Sequence, residues 1–334
     1  MNALRRRVLV TSALFASAAI AACLLGPLVG TTRVSPARAF DTTVPFAENV
    51  DAQIFFVARL PRTLAAALVG AALAAAGVVL QALLRNPLAS PFTLGVSAGA
   101  ALGAMLVLTV GASFEVLGVT AVPLASLAGS LGAVAAVYAL ATVRRRGLST
   151  EVLLLAGVTL NAFFSALILF TQYFADATQT LRTVRWLMGD LDVAGYVPIV
   201  ASLPLLAGSF LAFAWLPRPL NLLTLGAEHA ASRGVDVTRA QRLAFLSASV
   251  ATGAAVSLGG PVGFVGIVVP HLVRLMVGSD HRLVLPASAF FGAAFLIGCD
   301  VVARVALAPM ELPVGIVTAL IGGPFFLWLL VSRQ

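Results

Sequence analysis

The stretch LAFLSASVATGAAVSLGGPVGFVGIVVPHLV, residues 243–273, carries no charge between Arg242 and Arg274, and its reading decides the fold. As a single helix it would be roughly 46 Å long at 1.5 Å per residue, against a bilayer hydrocarbon core of about 30 Å. Gly259-Gly260-Pro261 lies inside it, and such a run punctuates a helix. The stretch therefore divides into one full crossing and a second, short piece at about 264–278. Short or broken elements at membrane depth persist only where protein or a water-lined cavity surrounds them. The chain reads as a polytopic membrane protein with a broken helix in its interior.

The rest of the sequence agrees. Of 334 residues, 60% are hydrophobic and 10% are charged, and the mean hydropathy is +1.03. Soluble domains carry about 25% charged residues. This composition excludes a soluble enzyme, and its hydrophobicity excludes disorder. Other charge-free stretches run from Arg7 to Arg33, Arg62 to Arg85, Arg85 to Glu115, Glu115 to Arg144, Glu151 to Asp176, Asp192 to Arg218, Arg282 to Asp300 and Glu311 to Arg333. With the divided stretch they predict an all-α fold of ten transmembrane helices, one domain over residues 1–334. An even count places both termini on one side. One set of loops holds 14 arginines and the other 7, so the positive-inside rule makes the richer side, with both termini, cytoplasmic. The other side holds most of the acids. Arg5-Arg6-Arg7 and the apolar run after them resemble a signal peptide with Ala37-Arg38-Ala39 as its cleavage site. The run exceeds the roughly 7–15 apolar residues of a typical signal core, so it is read as the first span.

All 21 basic residues are arginine. A chain without lysine has no P-loop or Schiff-base lysine, so any ATP used in its work is bound by another chain. The net charge of +8 reflects loop bias in a membrane protein rather than nucleic-acid binding. Cys23, Cys299 and the three histidines have no metal-ligand spacing, and neither metal nor cofactor is expected.

Several motifs admit two readings. In the loop at about 219–238, residues 226–233 predict a short helix ended by Gly234, with Asp236 or Thr238 capping the next helix. With Leu222, Leu225 and Ala230 as an apolar side, it is either a segment that docks in a partner's groove or a solvated connector. Arg59, Arg62 and Arg304 lie at outer span ends, where they either bind an acidic partner or snorkel to lipid headgroups. Asp300 and Arg304 are spaced to pair on one helix face; an ion relay at Asp300 would have no second acid deep in a span. Arg85-Asn86-Pro87-Leu88-Ala89-Ser90-Pro91 reads as an inner turn, His271 as a hydrogen-bonded structural residue, and Trp186 as an interfacial anchor. Small residues are abundant, as in close-packed membrane bundles. Gly70-Ala71-Ala72 and Gly292-Ala293-Ala294 hint at an internal repeat.

Taken in order, Arg59-Leu-Pro-Arg-Thr-Leu, residues 70–77, Gln81-Ala-Leu-Leu-Arg-Asn-Pro-Leu-Ala89, residues 91–100, Gly263-Phe-Val-Gly-Ile-Val-Val-Pro-His-Leu-Val-Arg274, Asp280-His-Arg282 and residues 311–319 resemble the permease subunits of type II ATP-binding-cassette importers for ferric siderophores, haem and vitamin B12. The likeness covers essentially the whole chain. It implies a homodimer in the bacterial inner membrane, two ATPase subunits below and a periplasmic binding protein above, with alternating access at the dimer axis. It implies that the 219–238 loop couples to the ATPase through Leu225, Gly226, Ala227, Glu228, Ala230, Arg233 and Gly234. Arg59, Arg62 and Arg304 would engage acidic residues of the binding protein, and Asn161, Ser165, Thr171 and Gln172 would line the pathway. The stretch 181–189 is similar to vitamin B12 permeases in pattern. An ion-coupled secondary transporter is the alternative, with Asp300 as its one candidate site. An intramembrane enzyme would need paired acids or a metal cluster, and the sequence offers none.

Overall fold

The computed structural model describes residues 2–142, 150–193 and 195–332; Arg144, Arg145, Arg146 and Arg333, used in the charge count, lie outside the described residues. The chain opens with α1 (Asn2–Leu25), an apolar helix closed by a 3₁₀ turn at Gly26–Leu28. Two short helices follow, α2 (Pro36–Ala39) and α3 (Val50–Gln53), the second capped by the Asn49 side chain, which accepts from Ala52 N at 3.0 Å. A π-helical segment, Ile54–Arg59, joins α3 to α4 (Leu60–Leu83) in one continuous helix. The Arg85–Pro91 turn leads into α5 (Val96–Val110); Asn86 Oδ1 accepts from Leu88 N, and Ser90 and Thr93 box the next 3₁₀ turn.

The expectation of a purely helical chain needs one correction. Strands β1 (Glu115–Val116) and β2 (Val119–Thr120) form a two-residue-per-strand ribbon before α6 (Ala121–Thr142). Leu117 and Gly118 both have positive φ, 52° and 80°, as a two-residue hairpin turn demands. Beyond it come α7 (Thr150–Tyr173), α8 (Ala177–Leu187), α9 (Val197–Trp215), α10 (Pro217–Leu223), α11 (Ala227–Ser232), α12 (Val237–Gly259), α13 (Val265–Val277), α14 (His281–Val305) and α15 (Val314–Ser332). Helix α8, read from sequence only as an outer stretch, begins with a reciprocal cap between Asp176 and Gln179. Its Trp186 packs against Ala101, Met105 and Ile168, a half-buried core contact rather than a free lipid anchor.

Among the described residues seven helices are long and apolar enough to cross a membrane, and three shorter apolar helices lie at Val96–Val110, Val265–Val277 and Val314–Leu329. Helix α4 is the axis, with α12, α13 and α14 packed around it. It can be central because it presents alanine and glycine where its neighbours arrive. A Cβ on Gly70 would strike the Gly292 carbonyl, one on Gly292 the Gly70 carbonyl, and one on Gly77 the Gly266 carbonyl. The matching Gly-Ala-Ala triplets are thus two sides of one helix contact. In a bilayer, where lipid tails are as apolar as leucine, such close approach supplies the dispersion that holds helices together.

The break after α12 falls at the predicted place. Gly260 takes φ 66° and ψ −175°, and the chain turns back through Pro261–Phe264. Phe264, at φ 65°, sits in a conformation unusual for a bulky residue. Its ring lies where a side chain on Gly322 would be. The 13 residues of α13 extend roughly 20 Å, too short to cross. Val265, Gly266, Val268, Val269, Pro270, His271 and Val273 are all buried, so protein encloses the short helix. Gln81 pins it from α4: its Nε2 donates to Gly266 O at 3.1 Å, and its Oε1 accepts from Arg274 at 2.5 Å.

Candidate functional sites at the two ends of the bundle

The first site forms where α4 begins and α14 ends. Asp300, fully buried on α14, accepts from Arg62 Nε at 2.7 Å, and its second oxygen stands 3.0 Å from Arg304 Nε, the pairing its spacing predicts. Arg62 also binds Glu311, which is 45% exposed, at 2.5 Å. Arg304 Nη1 and Nη2 donate to the carbonyls of Val29 and Gly26 at 3.0 and 3.1 Å. Arg59 donates to the carbonyls of Pro27, Leu28 and Thr32 at 3.2, 3.4 and 2.6 Å. Gly30 leaves room for this side chain, since a Cβ would fall 2.5 Å from the Arg59 guanidinium.

The sequence reading placed Arg59 and Arg62 at one outer span end and Arg304 at another, and the structure brings the three side by side. It also revises their display: Arg59 and Arg304 are 7% and 3% exposed, so they do not stand on an open rim. They satisfy the carbonyls that the chain leaves unpaired as it exits α1, which a buried backbone requires. The π-helical segment ending at Arg59 adds a residue to that turn, as at many functional sites. A cleft of about 340 Å³ opens over the group, lined also by Thr31, Asp192 and Glu311. Within the ion-pair group two guanidiniums, Arg62 and Arg304, meet two carboxylates, Asp300 and Glu311, so the group balances, while Arg59 bonds to carbonyls beside it. Glu311 as a partner of Arg62 was not legible, because the two are 249 positions apart.

The second site lies at the opposite end. Helix α11 forms as predicted, entered at Gly226 (φ 119°) and left at Gly234 (φ 79°), and Asp236 caps α12 by accepting from Arg239 N at 2.9 Å. Leu225, Ala227, Glu228, Arg233 and Gly234 are exposed. Ala230 is not: it is fully buried beside Leu223 and Ala240, so it anchors α11 to the bundle rather than facing a partner. A groove of about 640 Å³ runs between α11 and Arg85 of the neighbouring turn.

An unforeseen latch fixes this end to α14. Asn221 on α10 donates to Asp280 Oδ1 at 2.7 Å, and its own oxygen accepts from His281 N at 2.9 Å. Burial opposes ionisation of Asp280, but the Arg282 N–H and the Asn221 amide outweigh it and hold the carboxyl below its ordinary pKa. His271, read as structural, packs edge-on against Phe325.

The proposed pathway residues lie on α7. Asn161 and Ser165 are exposed, one turn apart; Thr171 and Gln172 are half-buried, and Thr171 donates to Ile168 O at 2.8 Å. Among the described residues no three His, Cys, Asp or Glu side chains gather as a metal site.

The sequence profile of the FecCD transport family matches residues 18–332. The chain belongs to the FecCD transport family. It is 46% identical over 278 residues to the cobalamin import system permease protein BtuC of Halobacterium salinarum, covering 83% of this chain and 73% of that protein. The hemin transport system permease protein HmuU of Yersinia pestis is 39% identical over 277 residues, covering 83% and 82%. Among solved structures, an inward-facing metal-chelate type ABC transporter superposes with a TM-score of 0.80 at 31% identity, covering 97% of this FecCD chain and 99% of the other.

Proposed function

We infer that this FecCD protein is the permease subunit of an ATP-binding-cassette importer that carries a metal chelate, haem or cobalamin across the inner membrane of a bacterium by alternating access. Its ten apolar helices all act as spans or as enclosed short helices, and both termini face the cytoplasm. The observation that carries the reading is the exposed, glycine-bounded α11, which projects from the arginine-rich end and is tied to α14 through α10. It suits a socket in a separate ATPase, which agrees with a chain that has no lysine. Two ATPase subunits and a homodimer of this chain complete the machine, with lipid around it.

The coupling route is physical. Helix α14 has 25 residues, roughly 37 Å, and bears the Asn221 latch at one end and the Asp300 group at the other. A push on α11 and α10 therefore reaches the outer mouth through a rigid rod. There a binding protein seats its acidic residues over Arg62, in competition with Glu311, while Arg59 and Arg304 shape the mouth by holding residues 26–32. Such charge contacts set orientation and on-rate. Asn161 and Ser165 line the pathway with Thr171 and Gln172: an amide exposed on an apolar span needs a wet cavity or a partner. The ion-coupled alternative is disfavoured because Asp300, its one candidate site, is ion-paired with both Arg62 and Arg304.

The test is uptake into proteoliposomes that hold this chain with its ATPase and binding protein. ATP-dependent accumulation of cobalamin, haem or a ferric siderophore, unaffected by a protonophore, is expected. Uptake that needs an ion gradient and ignores ATP would contradict the reading.

A further inference from the structure

A cleft of about 690 Å³ opens between the ends of α9 and α12 at the arginine-rich end of the bundle. Its wall changes character with depth. Leu211 and Trp215, one helical turn apart on α9, and Leu243 on α12 supply an exposed apolar face. One turn nearer the mouth than Leu243 stands Arg239, with Arg218 and Arg233 beside it. All three arginines are exposed, and none joins an ion pair among the described residues. The acid in the lining, Asp236, is committed to capping α12 through Arg239 N. Three exposed guanidiniums against one carboxylate, with Arg239 about 6 Å along α12 from Leu243, leave the rim of an apolar slot positive and match a phosphate group with an acyl chain running inward from it.

We propose that this cleft binds an anionic phospholipid, its phosphate held by Arg218, Arg233 and Arg239 and an acyl chain laid along Leu211, Trp215 and Leu243. Arginine suits the role, since its planar fork grips phosphate oxygens bidentately. The exposed indole of Trp215 stands at the level where interfacial aromatics lie. A bound lipid would brace α9 against α12 beside the root of α11. The site depends on the bundle lying in a membrane and on no particular cargo.

The test is native mass spectrometry of the full chain assembled with its ATPase, titrated with phosphatidylglycerol or phosphatidylcholine. Phosphatidylglycerol should bind in preference. The double variant R218Q/R239Q should weaken that binding about twenty-five-fold, a factor of about five for each arginine. R218K/R239K, which keeps the charge but loses the planar fork, should restore only part of it. Both arginines are exposed, so an unchanged melting temperature is expected for either variant. Equal binding by R218Q/R239Q, equal binding of phosphatidylcholine, or displacement by millimolar inorganic phosphate would each overturn the proposal. So would phosphatidylglycerol binding to the chain alone that disappears on assembly, because the cleft would then be a seat for the ATPase.

Discussion

The two ends of the bundle use arginine in opposite ways. At the mouth formed by α4 and α14, Arg59, Arg62 and Arg304 are sunk into the protein and spend their donors on carbonyls, Asp300 and Glu311. At the other end, Arg218, Arg233 and Arg239 are exposed and outside every ion pair among the described residues. The first set is structural first, and its function depends on what it leaves uncovered. The second set is cheap to change in stability and costly to change in whatever docks there. Residue type alone does not separate the two cases; the distinction comes from which carbonyls and carboxylates the fold delivers.

The sharpest way to break the contrast is Asp300→Ala. It strands Arg304 as a buried, uncompensated charge and leaves Arg62 only the half-exposed Glu311, and should cost about 3–5 kcal/mol. A thermal melt in detergent that differs little from the parent would refute the account of that mouth. Gly77→Val comes next, because its side chain must displace the Gly266 backbone. About 1–3 kcal/mol of overpacking is expected, read in the same melt, with α13 loosened and more accessible to hydrogen exchange. Asp280→Ala should cost about 1–3 kcal/mol by leaving Asn221 unsatisfied. Because the Asp280 carboxyl is held below its ordinary pKa, its contribution is full above that ordinary value and fades as pH falls through the lowered one. The gap between parent and variant should therefore close on acidification. Smallest is Glu311→Gln, at most about 1 kcal/mol for a half-exposed pair. Its expected signature is tighter capture of the binding protein, measured by surface binding, since Arg62 then has a free face.

Much of this architecture was legible because hydropathy and glycine-proline punctuation are local signals. Gly259-Gly260-Pro261 located the break, and Gly234 marked the end of α11. The Asp300–Arg304 pair followed from helical spacing. What stayed hidden was long-range. Nothing near Arg59 announces that residues 27–32 will need their carbonyls filled, and nothing near Asn221 announces Asp280, 59 positions away. Ala230 looked like a docking face because an apolar residue on a short helix reads the same whether it faces a partner or its own bundle. The Leu117-Gly118 turn escaped notice because two-residue strands carry no periodicity.

The central claim is that α11 transmits force between this chain and a separate ATPase. The most direct measurement is ATP hydrolysis by the assembled complex in lipid, with and without the binding protein, for the parent and for a Leu225→Asp/Glu228→Arg variant. Both positions are exposed, so the melting temperature should stay within about 0.5 kcal/mol equivalent of the parent. The account predicts stimulation by the binding protein in the parent and its loss in the variant. Equal stimulation in both, or failure of this chain to assemble with any ATPase, would contradict it.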